Sequence, residues 1–165
     1  KKGSVFYFIL PWNPAEKEEE TELIEPLPDV PDLNNKIILV AEDDEANLLH
    51  ISELFRGTGA VLVKAKTGRE CIRLFKEQSN TDLVLMDIKM PDMDGYETTR
   101  KIKEINIKVP VVAQTAYALK GDMEKALSAG CDDYLSKPIK KEALMEIVTR
   151  YVHGETEQGD IEEPV

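Results

Sequence analysis

The chain has 165 residues, of which 42% are hydrophobic and 32% are charged, and its net charge at neutral pH is −11. This length and hydrophobic content are enough for one folded domain with short appendages. Nucleic acids and anionic membranes bind positively charged surfaces, so we expect neither as a direct partner of so acidic a chain. No apolar run approaches the roughly 18 residues of a membrane-spanning helix. Cys71 and Cys131 lie in apolar patterns without paired spacing, which predicts reduced core thiols in a cytoplasmic protein.

The first 35 residues divide into two segments. Residues 4–10 are rich in aromatic and β-branched side chains and end at Pro11, which predicts a short β-strand. Residues 13–35 are rich in Glu and Pro, which predicts an extended acidic linker. The basic, apolar start is too short for a signal peptide and lacks a small-residue cleavage site. Because residue 1 is not Met, we expect the chain to be a piece of a longer protein.

Residues 36–152 alternate between apolar runs typical of strands and amphipathic patterns typical of helices. The strands are predicted at residues 37–41, 60–65, 83–86, 109–113 and 133–135. The helices are predicted over residues 48–55, from residue 67 onward, and over residues 95–106, 120–129 and 140–152. Thr67, with Glu70 three residues later, is typical of a helix N-cap. The strict alternation predicts an α/β fold, with a parallel sheet and helices on both of its faces.

The most informative stretch is residues 83–95, where an apolar strand ends at Asp87 and a loop of Pro, Asp and Gly follows. A buried strand with a carboxylate at its carboxyl end is a common element of reactive sites in parallel sheets. The simpler interpretation is a strand followed by a turn-opening aspartate. The other strand ends favour a site, because residues that follow parallel strands meet at one edge of the sheet. Those residues are Glu42, Asp43 and Asp44, then Gln114, Thr115 and Ala116, and finally Ser136, Lys137 and Pro138.

Carboxylates this close together repel one another unless a cation offsets their charge. Lys137 can supply one positive charge. Mg²⁺ suits the remainder, because it binds one or two carboxylates and leaves room for water and phosphate oxygens. The acidic residues 42–44 could instead cap the following helix and stabilise its dipole. Capping accounts for one or two of them, but not for the arrival of Asp87 and Lys137 at the same edge.

Four segments of residues 36–152 resemble the receiver domain of two-component response regulators. They read ILVAEDDEAN, LVLMDIKMPDMDGYE, VVAQTAYA and DYLSKPI, in the order and spacing of that family. The resemblance implies a doubly wound (βα)5, flavodoxin-like fold with five parallel strands in the order 2-1-3-4-5. It also implies a phosphorelay domain that uses Mg²⁺, accepts a phosphoryl group from phosphohistidine and catalyses its own phosphorylation and dephosphorylation.

The resemblance gives roles to the acidic residues. Asp87 matches the phosphoacceptor, whose carboxylate attacks phosphohistidine to form an acyl phosphate. Glu42 and Asp43 match the acidic pair that binds Mg²⁺ together with Asp87 and the backbone carbonyl of Lys89. Asp43 is expected to bind the ion directly and Glu42 through water. Glu42 stands where many relatives have Asp, a variant that resembles the hybrid-kinase branch.

Further residues match the parts of the family that respond to the phosphoryl group. Thr115 matches the hydroxyl that bonds this group, Lys137 matches the cation that pairs with its oxygens, and Tyr134 matches the aromatic switch. Each of these two roles has a simpler alternative. Thr115 could be an ordinary residue at the end of a strand, and Tyr134 could be an ordinary half-buried aromatic residue. Lys89 and Tyr117 occupy positions that vary among relatives, and we expect them to tune the lifetime of the acyl phosphate. The bond between Lys137 and Pro138 matches the family's cis peptide.

Residues 2–11, KGSVFYFILP, resemble the last strand of the histidine-kinase ATP-binding domain. We therefore interpret residues 1–12 as a kinase remnant, 13–35 as a linker, 36–152 as the receiver and 153–165 as a disordered acidic tail. The parent would then be a hybrid sensor kinase that uses ATP, cytoplasmic or anchored in the inner membrane. The phosphohistidine donor would be its own kinase core or a histidine phosphotransfer protein. An isolated strand is the alternative, and its exposed edges could pair two copies of the chain.

Three other functions compete with this interpretation. A hydrolase of the haloacid-dehalogenase class also has an Asp nucleophile after a strand, but it needs a second Asp where this chain has Lys89. A receiver-like binding module would lack an acceptor or metal residue, and none is missing. A stand-alone response regulator is the closest alternative, and the leading strand and linker argue against it.

Overall fold

Five strands and five helices alternate along residues 31–78, 80–116 and 120–154, which are the residues that the structure, a computed structural model, describes. The strands are β1 (Ile37–Ala41), β2 (Val61–Ala65), β3 (Thr81–Asp87), β4 (Val111–Thr115) and β5 (Asp133–Ser136). The helices are α1 (Glu45–Leu54), α2 (Gly68–Glu77), α3 (Gly95–Ile105), α4 (Lys120–Ser128) and α5 (Lys141–His153).

All paired strands are parallel, and they lie in the order β2-β1-β3-β4-β5. The predicted α/β fold and its strand order are therefore confirmed. Successive side chains of a strand point to opposite faces of the sheet. Ile38 and Val40 of β1 accordingly pack in one core cluster with α1 and α5. Leu39 and Ala41 pack in a second cluster with α2, α3 and α4.

Polar residues fix the starts of three helices. Asp44, Thr67 and Asp94 each accept a hydrogen bond from the backbone N–H three residues later, at 2.9, 3.2 and 2.7 Å. These bonds satisfy donors that have no partner inside the first helical turn. Thr67 thereby confirms the predicted N-cap, and Glu70 accepts a hydrogen bond at 2.8 Å from the backbone N–H of Lys66.

The bounds of β2, β3, β4 and β5 each differ from the sequence prediction by one or two residues. β4 begins at Val111 rather than at residue 109, because Pro110 has no N–H to donate to a strand ladder. The carbonyl of Pro110 still accepts a hydrogen bond from the N–H of Val84 at 2.9 Å. β3 begins at Thr81 and runs on to Asp87, so the predicted phosphoacceptor is the last residue of the strand itself.

The packed domain begins before residue 36. Leu33 is fully buried in the cluster with α1 and α5, and its N–H donates to the carbonyl of Thr58 at 2.8 Å. Because the composition around Leu33 is acidic and rich in proline, the sequence analysis assigned this residue to the linker and not to the core. Leu49, in contrast, lies in the apolar pattern of the first helix and yet is 69% exposed. α5 continues through His153, one residue into the predicted tail.

Several predictions concern residues outside the described part of the chain. The leading strand, most of the linker, most of the tail and Tyr117 belong to this group. Within the described residues, Cys71 and Cys131 are buried and free. Burial, together with the nearby Glu70 carboxylate, raises the pKa of Cys71 to about 12, so this thiol stays protonated at neutral pH. None of the described helices is long and apolar enough to cross a membrane.

Candidate functional site

A cleft of about 630 Å³ opens at the carboxyl edge of the sheet. Asp87 at the end of β3, Thr115 at the end of β4 and Lys137 after β5 all line it. β3 and β4 are paired so that Asp87 lies beside Gln114. The sheet therefore brings together side chains that are distant in sequence, such as Asp87 and Lys137, which are 50 residues apart.

Lys137 joins two carboxylates that come from different strands. Its Nζ donates to Glu42 Oε2 at 2.6 Å and to Asp87 Oδ2 at 2.9 Å. The side chains of Glu42, Asp87 and Lys137 are 1%, 8% and 21% exposed, so water screens these pairs only weakly. Burial lowers the pKa of Lys137, but the two hydrogen bonds and the attraction of the carboxylates outweigh it and leave this pKa above its ordinary value. Lys137 therefore stays charged.

Glu42 is fully buried and has a polar partner for each oxygen. Asn47, in the first turn of α1, donates its Nδ2 to Glu42 Oε1 at 2.9 Å, and Lys137 bonds the other oxygen. Burial and the neighbouring Asp87 carboxylate raise the pKa of Glu42, and the bonds from Lys137 and Asn47 only partly oppose them. Three carboxylates, those of Glu42, Asp43 and Asp87, gather here, and the Lys137 ammonium bonds two of them, so the cluster has a surplus of acidic groups.

An added cation fits this surplus of negative charge. One carboxylate oxygen from each of Glu42, Asp43 and Asp87 lies within 4.8 Å of the others, a set of hard oxygen ligands suited to Mg²⁺. Asp43 is exposed, whereas Glu42 and Asp87 are buried. Asp44 instead caps α1. The helix-capping interpretation therefore holds for one of the three acidic residues after β1.

The loop after β3 holds Asp87 from its other side. The backbone N–H of Lys89 donates to Asp87 Oδ1 at 3.1 Å, and Lys89 lines the cleft. The use of the Lys89 carbonyl as a metal ligand stays a prediction. Gly95 opens α3 directly against the end of β3, where a Cβ atom would collide with the carbonyl oxygen of Asp87. This close approach requires glycine at that position.

The remaining predicted residues lie on or near the same edge. Thr115 is 7% exposed and lines the cleft. Tyr134 in β5 is half-buried against the cluster that contains α2, α3 and α4, and it pairs with Ala113, two residues before Thr115. The peptide bond between Lys137 and Pro138 is cis.

The structure adds residues that the sequence analysis did not single out. Asn47 positions Glu42, and only its place one helical turn after the acidic residues could have indicated this. Gln114, which the sequence analysis placed among the strand-end residues of this edge, is fully buried, although a residue of its type is usually exposed. Tyr96 and Lys125 also line the cleft, from α3 and α4.

This chain is similar in sequence to a hybrid histidine kinase and to a response regulator. Hybrid signal transduction histidine kinase I of Dictyostelium discoideum is 38% identical over 123 residues, which cover 70% of this chain but only 7% of that protein. The polar-differentiation response regulator DivK of Brucella ovis is 34% identical over 119 residues, which cover 71% of this chain and 96% of that protein.

A solved structure and a family model agree with these relatives. The receiver domain of sensor histidine kinase PA1611 from Pseudomonas aeruginosa superposes with a TM-score of 0.67 and 37% identity, over 72% of this chain and 98% of that domain. Its active-site cleft coordinates a magnesium ion. The model of the response regulator receiver domain matches residues 38–149. With its parallel five-stranded sheet and acidic edge, this chain belongs to the response regulator receiver domain family of two-component systems.

Proposed function

We propose that this receiver accepts a phosphoryl group on Asp87 from a phosphohistidine of a partner protein. The observation that carries the proposal is the placement of the Asp87 carboxylate at the edge of the cleft. Lys137 holds its Oδ2 and the N–H of Lys89 holds its Oδ1, so the carboxylate has a fixed orientation. Fixed orientation and charge compensation are what phosphoryl transfer requires of a protein.

In this reaction a carboxylate oxygen of Asp87 forms a bond to phosphorus while the bond from phosphorus to the histidine nitrogen breaks. The electron pair of the broken bond stays on the imidazole, and the product is an aspartyl phosphate. Lys137 lies beside the attacking carboxylate and offsets charge on the transferred oxygens. Thr115 lines the same cleft and is the hydroxyl that bonds the new phosphoryl group.

Glu42, Asp43 and Asp87 are the side chains that would hold Mg²⁺ in this receiver. The fit of their oxygens and the magnesium ion in the similar PA1611 receiver support this assignment. When bound, Mg²⁺ neutralises negative charge on the carboxylates and on the transferred phosphoryl group.

The phosphoryl group adds a charge of about −2 to the cleft, and a charge of this size can bias a pre-existing conformational equilibrium. Thr115 and Tyr134 would carry the change to the surface formed by α4, β5 and α5, because Thr115 ends β4 and Tyr134 lies in β5, the edge strand that pairs with β4. Lys89 and Tyr117 are proposed to tune how long the acyl phosphate lasts.

We further propose that the parent protein is a cytoplasmic or membrane-anchored hybrid kinase. In this proposal residues 1–12 are a kinase remnant, 13–35 a linker and 153–165 a tail, and packing begins at Leu33. Support comes from the likeness to receivers of hybrid and sensor histidine kinases at 38% and 37% identity. A stand-alone response regulator is the second candidate, because the chain matches nearly the whole length of DivK.

Intact-protein mass spectrometry after incubation with acetyl phosphate tests the proposed reaction. The wild-type chain should gain the mass of one phosphoryl group with Mg²⁺ and none in EDTA. Asp87→Asn should gain none under either condition. Asp92→Asn is a matched control, because Asp92 is an exposed carboxylate in the same loop.

Each departure from this pattern has a definite meaning. Phosphorylation of Asp87→Asn at the wild-type rate would exclude Asp87 as the acceptor. A gain that is equal in EDTA would refute the Mg²⁺ requirement. No gain in the wild-type chain under any condition would reduce the domain to a receiver-like binding module.

A further inference from the structure

Gln114, the fourth residue of β4, stands out among the buried polar side chains. It is fully buried, yet neither its amide oxygen Oε1 nor its amide nitrogen Nε2 has a hydrogen-bond partner among the described residues. Leaving a buried donor or acceptor unpaired is unfavourable, and native proteins pair nearly all of them with protein atoms or ordered water. The carboxamide therefore indicates that something binds beside it.

A small cavity adjoins this side chain on the side of the sheet that α1 covers. Gln114 shares a strand face with Val112, which packs in the cluster with α1 and α5. The cavity has a volume of about 40 Å³. A site needs about 10–15 Å³ of volume accessible to a water-sized sphere to hold one water, so this cavity is large enough for water. Its lining consists of Asn47, His50, Ile51, Gln114, Lys137, Pro138 and Ile139.

The lining offers the two to four polar partners that a buried water needs. The side-chain amide of Gln114 offers two N–H donors on Nε2 and one acceptor oxygen, Oε1. The ammonium of Lys137 has three hydrogens and bonds two carboxylates, which leaves one hydrogen for a water. Asn47 donates its amide nitrogen to a carboxylate, so its amide oxygen is available as an acceptor. A bond of 2.9 Å between His50 Nε2 and the carbonyl of Ile139 holds α1 against the segment that closes the cavity.

We infer that this cavity is a binding site for an ordered water molecule that joins the Gln114 carboxamide to the segment of residues 137–139. A cation is disfavoured because the Lys137 ammonium lines the same small space. Gln114 is then a positioning residue, because it holds through the water the segment that carries Lys137. The inference concerns the resting domain and does not depend on phosphorylation.

NMR of the ¹⁵N-labelled chain, without phosphodonor or Mg²⁺, tests the site directly. The side-chain NH₂ signals of Gln114 are assigned by their loss in Gln114→Met. In the wild type they should show a nuclear Overhauser effect to water, with the sign of a water bound for longer than the tumbling time of the protein. Val112→Ala is the matched control, because it removes buried apolar volume from the same strand face and should retain the cross-peak. Absence of the cross-peak in the wild type overturns the inference.

Thermal unfolding gives a second, independent readout. Gln114→Met keeps the length of the side chain and removes both polar atoms. If the carboxamide binds water, this change deprives the buried water of its partners and should lower the unfolding midpoint by about 2–5 °C. If the carboxamide is unpaired, its removal relieves an unfavourable burial and the midpoint rises instead. A rise therefore contradicts the inference.

Discussion

Lys137→Met should destabilise the domain strongly, and Mg²⁺ should reverse much of the effect. The change keeps most of the aliphatic stem and removes the ammonium that lies 2.6 Å from Glu42 Oε2 and 2.9 Å from Asp87 Oδ2. Breaking a buried ion pair by removing one partner costs roughly 3–5 kcal/mol. Lys137 is 21% exposed, and Glu42 keeps its bond to Asn47, so we expect a loss of about 2–4 kcal/mol.

Urea unfolding at neutral pH, in EDTA and at saturating Mg²⁺, measures this loss. A ligand that binds only the folded state at about 100 times its Kd stabilises that state by about 2.7 kcal/mol. Mg²⁺ should stabilise the variant by more than the wild type, because the variant lacks the ammonium that bonds Glu42 and Asp87, and the ion then offsets more uncompensated negative charge. Lys140→Met is the matched control, because Lys140 is an exposed lysine three residues away. Its effect should lie within about 0.5 kcal/mol of zero.

Equal unfolding free energies of Lys137→Met and wild type in EDTA would refute this reasoning. Such a result would mean that Glu42 and Asp87 do not depend on the ammonium for charge compensation. If Lys137→Met lowers the unfolding free energy by the expected amount but Mg²⁺ does not restore it, the ammonium and the metal ion do not act on the same carboxylates. That result would refute the predicted effect of Mg²⁺.

Three further predictions follow from the same contacts. Asn47→Ala should lower the unfolding free energy by about 1–2 kcal/mol in urea, because it removes a donor from a buried carboxylate, and an unchanged value would contradict the role of Asn47. The folded-state pKa of Glu42 lies above its ordinary 4.5, so the folded state takes up a proton first. Stability in EDTA should therefore rise as the pH falls through the folded pKa toward 4.5, and Glu42→Gln should reduce this slope in calorimetric scans at a series of pH values. If stability depends on pH equally in Glu42→Gln and in the wild type, other titratable groups cause the dependence. Leu33→Ala should lower the unfolding free energy by about 2–4 kcal/mol, whereas no loss would place the domain boundary back at residue 36.

The sequence indicates the fold well because the signals are local and repeated. β1 and residues 83–86 of β3 are continuous apolar runs, and α1, α2 and α3 begin at polar N-cap residues. The boundaries are less accurate where two local signals conflict. Pro110 lies within an apolar run but cannot donate to a ladder, so β4 begins at Val111, two residues later than predicted. Leu33 lies in an acidic, proline-rich stretch, and only packing with α1 and α5 shows that it belongs to the domain.

The sequence also determines which residues follow each strand, and the parallel sheet makes it certain that these residues meet at one edge. Asp87, Thr115 and Lys137 could be placed together on that basis alone. The partners within the site depend on side-chain geometry across distant elements, which no local pattern contains. Only the tertiary structure shows that Lys137 bonds both Glu42 and Asp87. The sequence allowed a helix cap among residues 42–44, and the structure assigns it to Asp44 and gives Asn47 to Glu42. Only the tertiary structure encloses the Gln114 carboxamide, because burial is a property of the packed layers and not of the strand that carries the residue.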